Sequence, residues 1–386
     1  MPDNVCKSLF VAALSFFLAA CNPQTEIQEQ TSISNGQVGG LALAVNQPVF
    51  QGSEYIRGVE DAQWDMIEKI GDPQNCRSRI AALDAISDGK LVTSNMFSKN
   101  PNAINSALRN HNVVYLSDGI YELERPIILN GDTLIGGNNT IIDAKNVSEA
   151  ITVRNANLKK IRVKNAGRVG IEIKKNVTIK NVIVENTGVV NTENNRGHGF
   201  SILGATSDNN CLVSVEAYNG YNATGSGRSA EKGGNADGFE IKFGANGITL
   251  IDAHGHHNSD DGFDLWKSGD GTGVSPDKII IRIFYSSANH NGKNPLTLNG
   301  DGNGFKMGSD DAYQRPKKDE GARLIYGSAS CYNLTRGFDR NKTAMKILGG
   351  KLNSVGNGDS DYSGFAQYFA VGKDEFALKC HMFPRR

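Results

Sequence analysis

A chain of 386 residues with 41 basic and 41 acidic side chains has no net charge to offer nucleic acid. Glycine is high at 44 and proline low at 10, a mix suited to many tight turns between short strands. This length ordinarily means two or three domains, unless the fold grows by adding coils and stays one unit.

Lys7 precedes an apolar run from Leu9 to Leu18, which ends in Leu18-Ala19-Ala20-Cys21. A charged start, a short apolar core and small residues at the cut describe a secretory signal peptide, and the run is too short to span a bilayer. Leu-Ala-Ala-Cys resembles the bacterial lipobox, in which the cysteine is lipidated; an ordinary signal peptide with an incidental cysteine is the other reading. Residues 1–20 are therefore expected to be a lipoprotein signal peptide, with Cys21 as the lipidation site. By resemblance to enterobacterial sorting rules, Asn22 favours the outer membrane or cell surface; without the lipid the chain would be secreted or periplasmic. The membrane would be met only through that anchor. Residues 21–55 are polar and lack sustained periodicity, which reads as a tether.

Residues 56–111 read as a helical N-terminal cap region. Val59, Trp64, Ile67 and Ile70 recur at helical spacing, and a second short helix is expected over Asn102–Asn110. This second helix would cover the open end of the strand region, because exposed strand edges invite pairing with other chains. From 112 to 386 the grammar is that of strands: Val113–Leu116, Thr140–Asp143, Ile161–Val163, Ile171–Ile173, Val177–Ile179, Val182–Val184, Leu212–Ala217 and Ile248–Ala253 are bounded by Gly, Asn or Asp. Short strands at this density predict an all-β parallel β-helix (solenoid) with an N-terminal capping helix. Asn165, Asn176 and Asn186 fall near turns, where they either form side-chain ladders or simply tolerate left-handed backbone.

Six Gly-Phe pairs set the register: Gly199-Phe200, Gly238-Phe239, Gly262-Phe263, Gly304-Phe305, Gly337-Phe338 and Gly364-Phe365. If each marks the same corner of successive coils, the position after Phe forms a column of Ser201, Glu240, Asp264, Lys306 and Asp339. The position two before Phe holds His198, Asp237, Asp261, Asn303 and Arg336. Coils stack about 4.8 Å apart, so Asp237, Asp261 and Asp264, with Asp260 beside them, would converge within metal-binding reach, one coil from a lysine. The surplus length between pairs becomes loops over 220–235, 267–277, 291–302 and 308–321, which should wall a groove.

Four crowded carboxylates repel and raise one another's pKa values unless a cation neutralises them, and an oxygen-only donor set suits calcium. Turn aspartates that merely cap backbone donors are the alternative, but that duty does not explain why they align between coils. A dication beside Lys306 would lower its pKa and let it act as a base. Together these groups support abstraction of a proton α to a carboxylate.

Asn235–Phe239, Asn258–Trp266 (NSDDGFDLW) and Gly302–Gly308 resemble polysaccharide lyase family nine, pectate lyases with a right-handed parallel β-helix. The resemblance covers about residues 110–370 and is strongest over 235–340. It implies calcium on Asp237, Asp260, Asp261 and Asp264, and Lys306 as Brønsted base. The implied reaction is β-elimination on a uronic-acid polysaccharide, with pectate or polygalacturonate the first substrate to consider. Arg282, Arg323, Arg336 and Arg340 are candidates for neutralising further charge.

Other readings on the same scaffold are a glycoside hydrolase, a uronate epimerase and a non-catalytic polysaccharide-binding or adhesion module. Gly197-His198-Gly199 and Asp260-Asp261 resemble fragments of polygalacturonase motifs, but in reversed order and with no Arg-Ile-Lys after them. His254, His256 and His257 suggest a transition-metal site, against the commoner reading as polar turn residues. The partner expected is an anionic polysaccharide met by a monomer. Cys76, Cys211, Cys331 and Cys380 allow three complete pairings, among which the sequence does not choose.

Overall fold

Strand alternation and left-handed corners build this chain into coils. The computed structural model describes residues 55–72, 74–188, 197–222, 235–269, 273–292, 300–308, 320–341, 346–363, 369–370 and 378–380. Among them, every strand pairing is parallel, in one nine-stranded sheet and one branched sixteen-stranded sheet. Each strand meets its counterpart one coil on, as Phe200 meets Phe239 and Val182 meets Val215. This is the expected parallel β-helix.

Several predicted short strands are halves of one bent strand. Thr178–Thr187 runs through Asn181, and Asn210–Gly220 runs through Ser214. Both residues have left-handed φ, 53° each, and both are skipped in the ladder between Lys180↔Val213 and Val182↔Val215. The bend turns the strand around the coil without ending it.

Asparagine serves both proposed purposes. Asn165, Asn176 and Asn186 all have positive φ. Asn176 Nδ2 also donates to Asn155 Oδ1 at 2.9 Å, and Asn209 Nδ2 donates to Asn176 Oδ1 at 2.8 Å, which forms a ladder along one corner.

Among the described residues, four helices precede the main strands: α1 (Asp61–Ile70), α2 (Cys76–Asp84), α3 (Ser94–Lys99) and α4 (Ala103–Asn110). Ile104 and Leu108 of α4 are buried in the main core, with α4 packed against the first coil. α1 and α2 do something else within the stretch 56–111. Trp64, Ile67 and Ile80 pack on Val213, Ile251 and Phe284, outward residues of three successive coils, so this pair lies along the flank and not over the end. A capping box joins Glu60 and Gln63 at the start of α1.

Disulfides Cys76–Cys211 and Cys331–Cys380 decide among the three pairings. The first ties α2 to the flank that it covers. Replacing Cys76 with serine is expected to cost about 2–4 kcal/mol, read as a lower melting temperature under oxidising conditions. An unchanged melting curve would count against a stabilising role.

The signal segment, Cys21, nearly all of the tether, Phe365 and most of the predicted loops 220–235, 291–302 and 308–321 lie outside the described residues. The fourth predicted loop, 267–277, is shorter than expected, because a strand begins at Val274 (Val274–Phe284) and pairs with the next coil. Tyr55, the last tether position, is buried and stacks on His256 with ring centroids 3.9 Å apart.

Candidate active site

The nine-stranded sheet carries the predicted columns. Phe200, Phe239, Phe263, Phe305 and Phe338 pair in register and are fully buried. Their rings stack at 5.0, 4.5, 4.5 and 5.0 Å. The sixth member is Tyr362, opposite Phe338. Each preceding glycine is required by close approach: a Cβ on Gly262 would stand 2.8 Å from Gly304 O. Because Phe points inward, the next residue points outward, and Ser201, Glu240, Asp264, Lys306 and Asp339 form one outward row.

The turn bearing Asp260 and Asp261 is fixed by a buried amide ladder. Asn258 Nδ2 donates to Asn291 Oδ1 at 3.0 Å, Asn291 Nδ2 to Asn333 Oδ1 at 2.9 Å, and Asn333 Nδ2 to Asn357 Oδ1 at 2.9 Å. Backbone N–H groups hold the carboxylates themselves. Asp260 accepts from Asn235 and Asp301, at 2.6 and 2.7 Å. Asp237 accepts from Asp261 N–H at 3.2 Å, and Asp261 from Asn303 N–H and Nδ2 at 2.7 and 2.9 Å.

Asp237, Asp260 and Asp261 each offer an oxygen within 4.8 Å of the others. Asp264 is close by but turned to a different partner: its Oδ2 meets Lys242 Nζ at 2.7 Å and Lys306 Nζ at 3.9 Å. Lys306 Nζ lies 3.2 Å from Asp261 Oδ2 and 3.1 Å from Asp301. Asp261 Oδ2 is buried, with the Lys306 ammonium beside it. Three buried carboxylates offering oxygens this close together fit a hard divalent cation such as calcium.

Burial pushes Asp237 and Asp260 up to about 6, and Asp261 well above the ordinary carboxylate range. Burial would also raise Asp264, but Lys242 and Lys306 override it and hold Asp264 low. Burial alone would lower Lys306; Asp261, Asp264, Asp260 and Asp301 override it and hold the ammonium well above the ordinary lysine range. The expected lowering of Lys306 therefore depends on a cation to offset these carboxylates.

Lys242 escaped the sequence reading. It is buried and touches Asp237 at 3.0 Å, Asp264 at 2.7 Å and Glu240 at 3.5 Å. The signal was period-two alternation, which puts Lys242 on the same outward face as Glu240. His198 Nδ1 accepts from Asp237 N–H at 3.2 Å.

The arginine candidates separate. Arg323 is fully buried and donates to Ser268 Oγ and O, so it cannot meet a polymer. Arg282 is buried on the helix-covered flank and donates to Ile279 O. Arg336 is half-exposed and pairs with Asp339 at 2.9 Å, and Arg340 follows on the same coil. The three histidines do not converge on one point. His254 pairs with Asp252 and Ser287 at 2.7 and 2.8 Å, while His256 Nδ1 meets His257 Nδ1 at 2.8 Å and His256 Nε2 meets Glu216 at 2.8 Å.

Residues 84–373 match the family model described as Pel9A-like, right handed beta helix region. The chain belongs to the Pel9A-like right-handed β-helix family. Its relatives include pectate lyase L of Paenibacillus polymyxa (strain SC2), 30% identical over 218 residues, which are 53% of this chain and 43% of that protein. The chain thus spans under half the length of that curated relative. Pectate lyase Pel9A, a solved structure, superposes with a TM-score of 0.56 at 24% identity, over 75% of this chain and 74% of its own. A rhamnogalacturonan lyase gives 0.50 at 21% identity, over 65% and 67%. At these identities the two structures speak for the right-handed coil of the Pel9A-like family alone.

Proposed function

We propose that this chain is a calcium-dependent polysaccharide lyase that cleaves a uronic-acid polymer, pectate or polygalacturonate in the first instance, by β-elimination. The observation that carries this reading is Lys306 Nζ, 3.2 Å from Asp261 in a cluster of three carboxylates whose oxygens lie within 4.8 Å. The names of the relatives point to the same class of reaction.

Asp237, Asp260, Asp261 and Asp264 would hold the cation. When bound, calcium supplies positive charge against the uronate carboxylate as the neighbouring carbon loses its proton. Neutral Lys306 accepts the C5 proton on Nζ. The C5–H electron pair becomes the C4–C5 double bond as the C4–O4 bond breaks, and O4 leaves with its bonding pair to take a proton from solvent. Asn303 keeps Asp261 oriented through its two donors, and the Asn258 ladder keeps the turn in place. Lys242 holds Asp264 and Asp237 on the neighbouring coil.

The test is a panel of uronans, with calcium and with a chelator, followed by absorbance at about 230–240 nm. Absorbance should rise with pectate, stop on chelation, and rise faster into the alkaline range, because Lys306 must be neutral to act. New reducing ends without absorbance would mean hydrolysis, inverted uronate stereochemistry without chain cleavage an epimerase, and binding alone a non-catalytic module. Activity peaking near about pH 5 and vanishing above about pH 8 would remove the lysine base.

We further infer export and tethering of a monomer through lipid on Cys21. Cys21→Ser should release the protein from the membrane fraction; an unchanged distribution would refute the anchor.

A further inference from the structure

Two residues beyond Asp264, in the turn that follows its strand, stands Trp266. Phe263 and Leu265 are fully buried, whereas Trp266 is partly exposed. Trp266 N–H donates to Asp264 Oδ1 at 3.1 Å, and Asp264 Oδ2 lies 3.9 Å from Lys306 Nζ. Two residues span at most ~7 Å of chain, so the indole begins about one sugar ring from the candidate base.

Phe243 meets Trp266 edge to face, with centroids 5.2 Å apart at 83°. It is 42% exposed, although it is an aromatic residue immediately after a buried strand. Its φ is 55°, the left-handed corner that recurs along these coils, as at Lys267, Tyr285 and Tyr332. Holding a phenyl ring in water is unfavourable, and exposed aromatic groups gathered in one place mark binding surfaces. Lys267 completes the group, its Nζ 4.4 Å from the Trp266 ring centroid.

We propose that Phe243, Trp266 and Lys267 form a subsite for a second uronate ring of the polymer held at Lys306, a proposal that rests on the lyase reading of this site. The chemistry is complementary on two counts. A galacto-configured uronate presents H3, H4 and H5 on one face, an apolar patch that stacks on aromatic rings, and its carboxylate reaches outward to an ammonium. A neutral hexose would engage the rings alone, so Lys267 adds discrimination in favour of the acid. The subsite is continuous with the acidic cluster through Asp264, which commits it to the next sugar of the same chain.

The test measures polygalacturonate affinity by titration calorimetry in calcium, in a Lys306→Ala background so that the polymer is not consumed. Phe243→Asn is the most informative variant, since asparagine tolerates left-handed backbone and removes the ring without new strain. Phe243→Asn and Trp266→Ala should each weaken binding by up to ~10-fold. Lys267→Gln should weaken it as well and flatten its salt dependence. In otherwise unaltered enzyme, KM for polymer should rise by a similar factor with kcat kept, the mark of lost uniform binding. The melting temperature of Phe243→Asn should hold or rise.

Unchanged affinity in Phe243→Asn and Lys267→Gln would overturn the subsite, as would a loss of affinity tracking a fall in melting temperature. The two readings fail separately. If the parent cleaves uronans while these variants bind normally, only the subsite falls. If the parent binds without cleaving and the variants bind less, the subsite stands and the lyase reading falls. Absence of any uronan binding would end both.

Discussion

Replacing Lys306 with alanine is expected to lower turnover by about 10²–10⁴-fold, the range that a positioned general base contributes, with the coils and cation binding retained. Lys306 sits on a two-residue strand whose backbone pairs with Asp264 and Asp339, and those pairings do not involve its side chain. The residual risk is electrostatic. Alanine removes one positive charge from a nest of carboxylates, so the variant should be less stable in chelator and recover in calcium. Lys306→Arg separates a base from a mere counter-charge: guanidinium keeps the charge but does not deprotonate. The arginine variant should therefore be as inactive as alanine while retaining parent-like stability in chelator. Substantial turnover by Lys306→Arg would show that the side chain acts by charge alone and would remove the base from the scheme.

The outward row of Ser201, Glu240, Asp264, Lys306 and Asp339 was legible because a parallel coil preserves register, and a fixed Gly-Phe corner turns sequence offset into spatial adjacency. Asp237, Asp260 and Asp261 met for the same reason. Tyr362 broke the rule at the last coil because stacking asks for a flat ring, and tyrosine stacks on Phe338 at 5.6 Å without a Gly-Phe signature. Arg323 misled because its strand is turned inside out relative to polarity. The helices α1 and α2 give Leu324 an apolar outer neighbour, while Arg323 faces inward in register with Ile281 and Ile347 and satisfies itself on Ser268. No alternation pattern announces a buried arginine of that kind. The pairing of Cys76 with Cys211 depended on the flank position of α2, which only tertiary packing fixes.

With the cation chelated, stability is expected to fall as pH rises from about 4 to about 6, and calcium should restore it. Burial raises Asp237 and Asp260 from 3.8 to about 6, so the folded chain holds protons that the unfolded chain has already lost. Where the folded state binds more protons, raising the pH favours unfolding. Each carboxyl then costs on the order of 3 kcal/mol above pH 6, at ~1.36 kcal/mol per pKa unit. Asp261, raised further by burial, extends the loss to higher pH. Asp264 works in the other direction: Lys242 and Lys306 outweigh its burial, and its contribution is present above the ordinary aspartate pKa and lost as pH falls below it. The raised values of Lys242 and Lys306 stabilise at every pH below the ordinary lysine range and are lost only above it. The window from about 4 to about 6 therefore belongs to Asp237, Asp260 and Asp261. A cation that binds only the folded, ionised cluster adds about 2.7 kcal/mol at a hundredfold excess over its Kd, and more at higher concentrations. Thermal melts across this range, in chelator and in calcium, provide the measurement. A flat profile in chelator, or melts that calcium does not move at neutral pH, would mean that these buried aspartates are neutralised within the protein and await no ion.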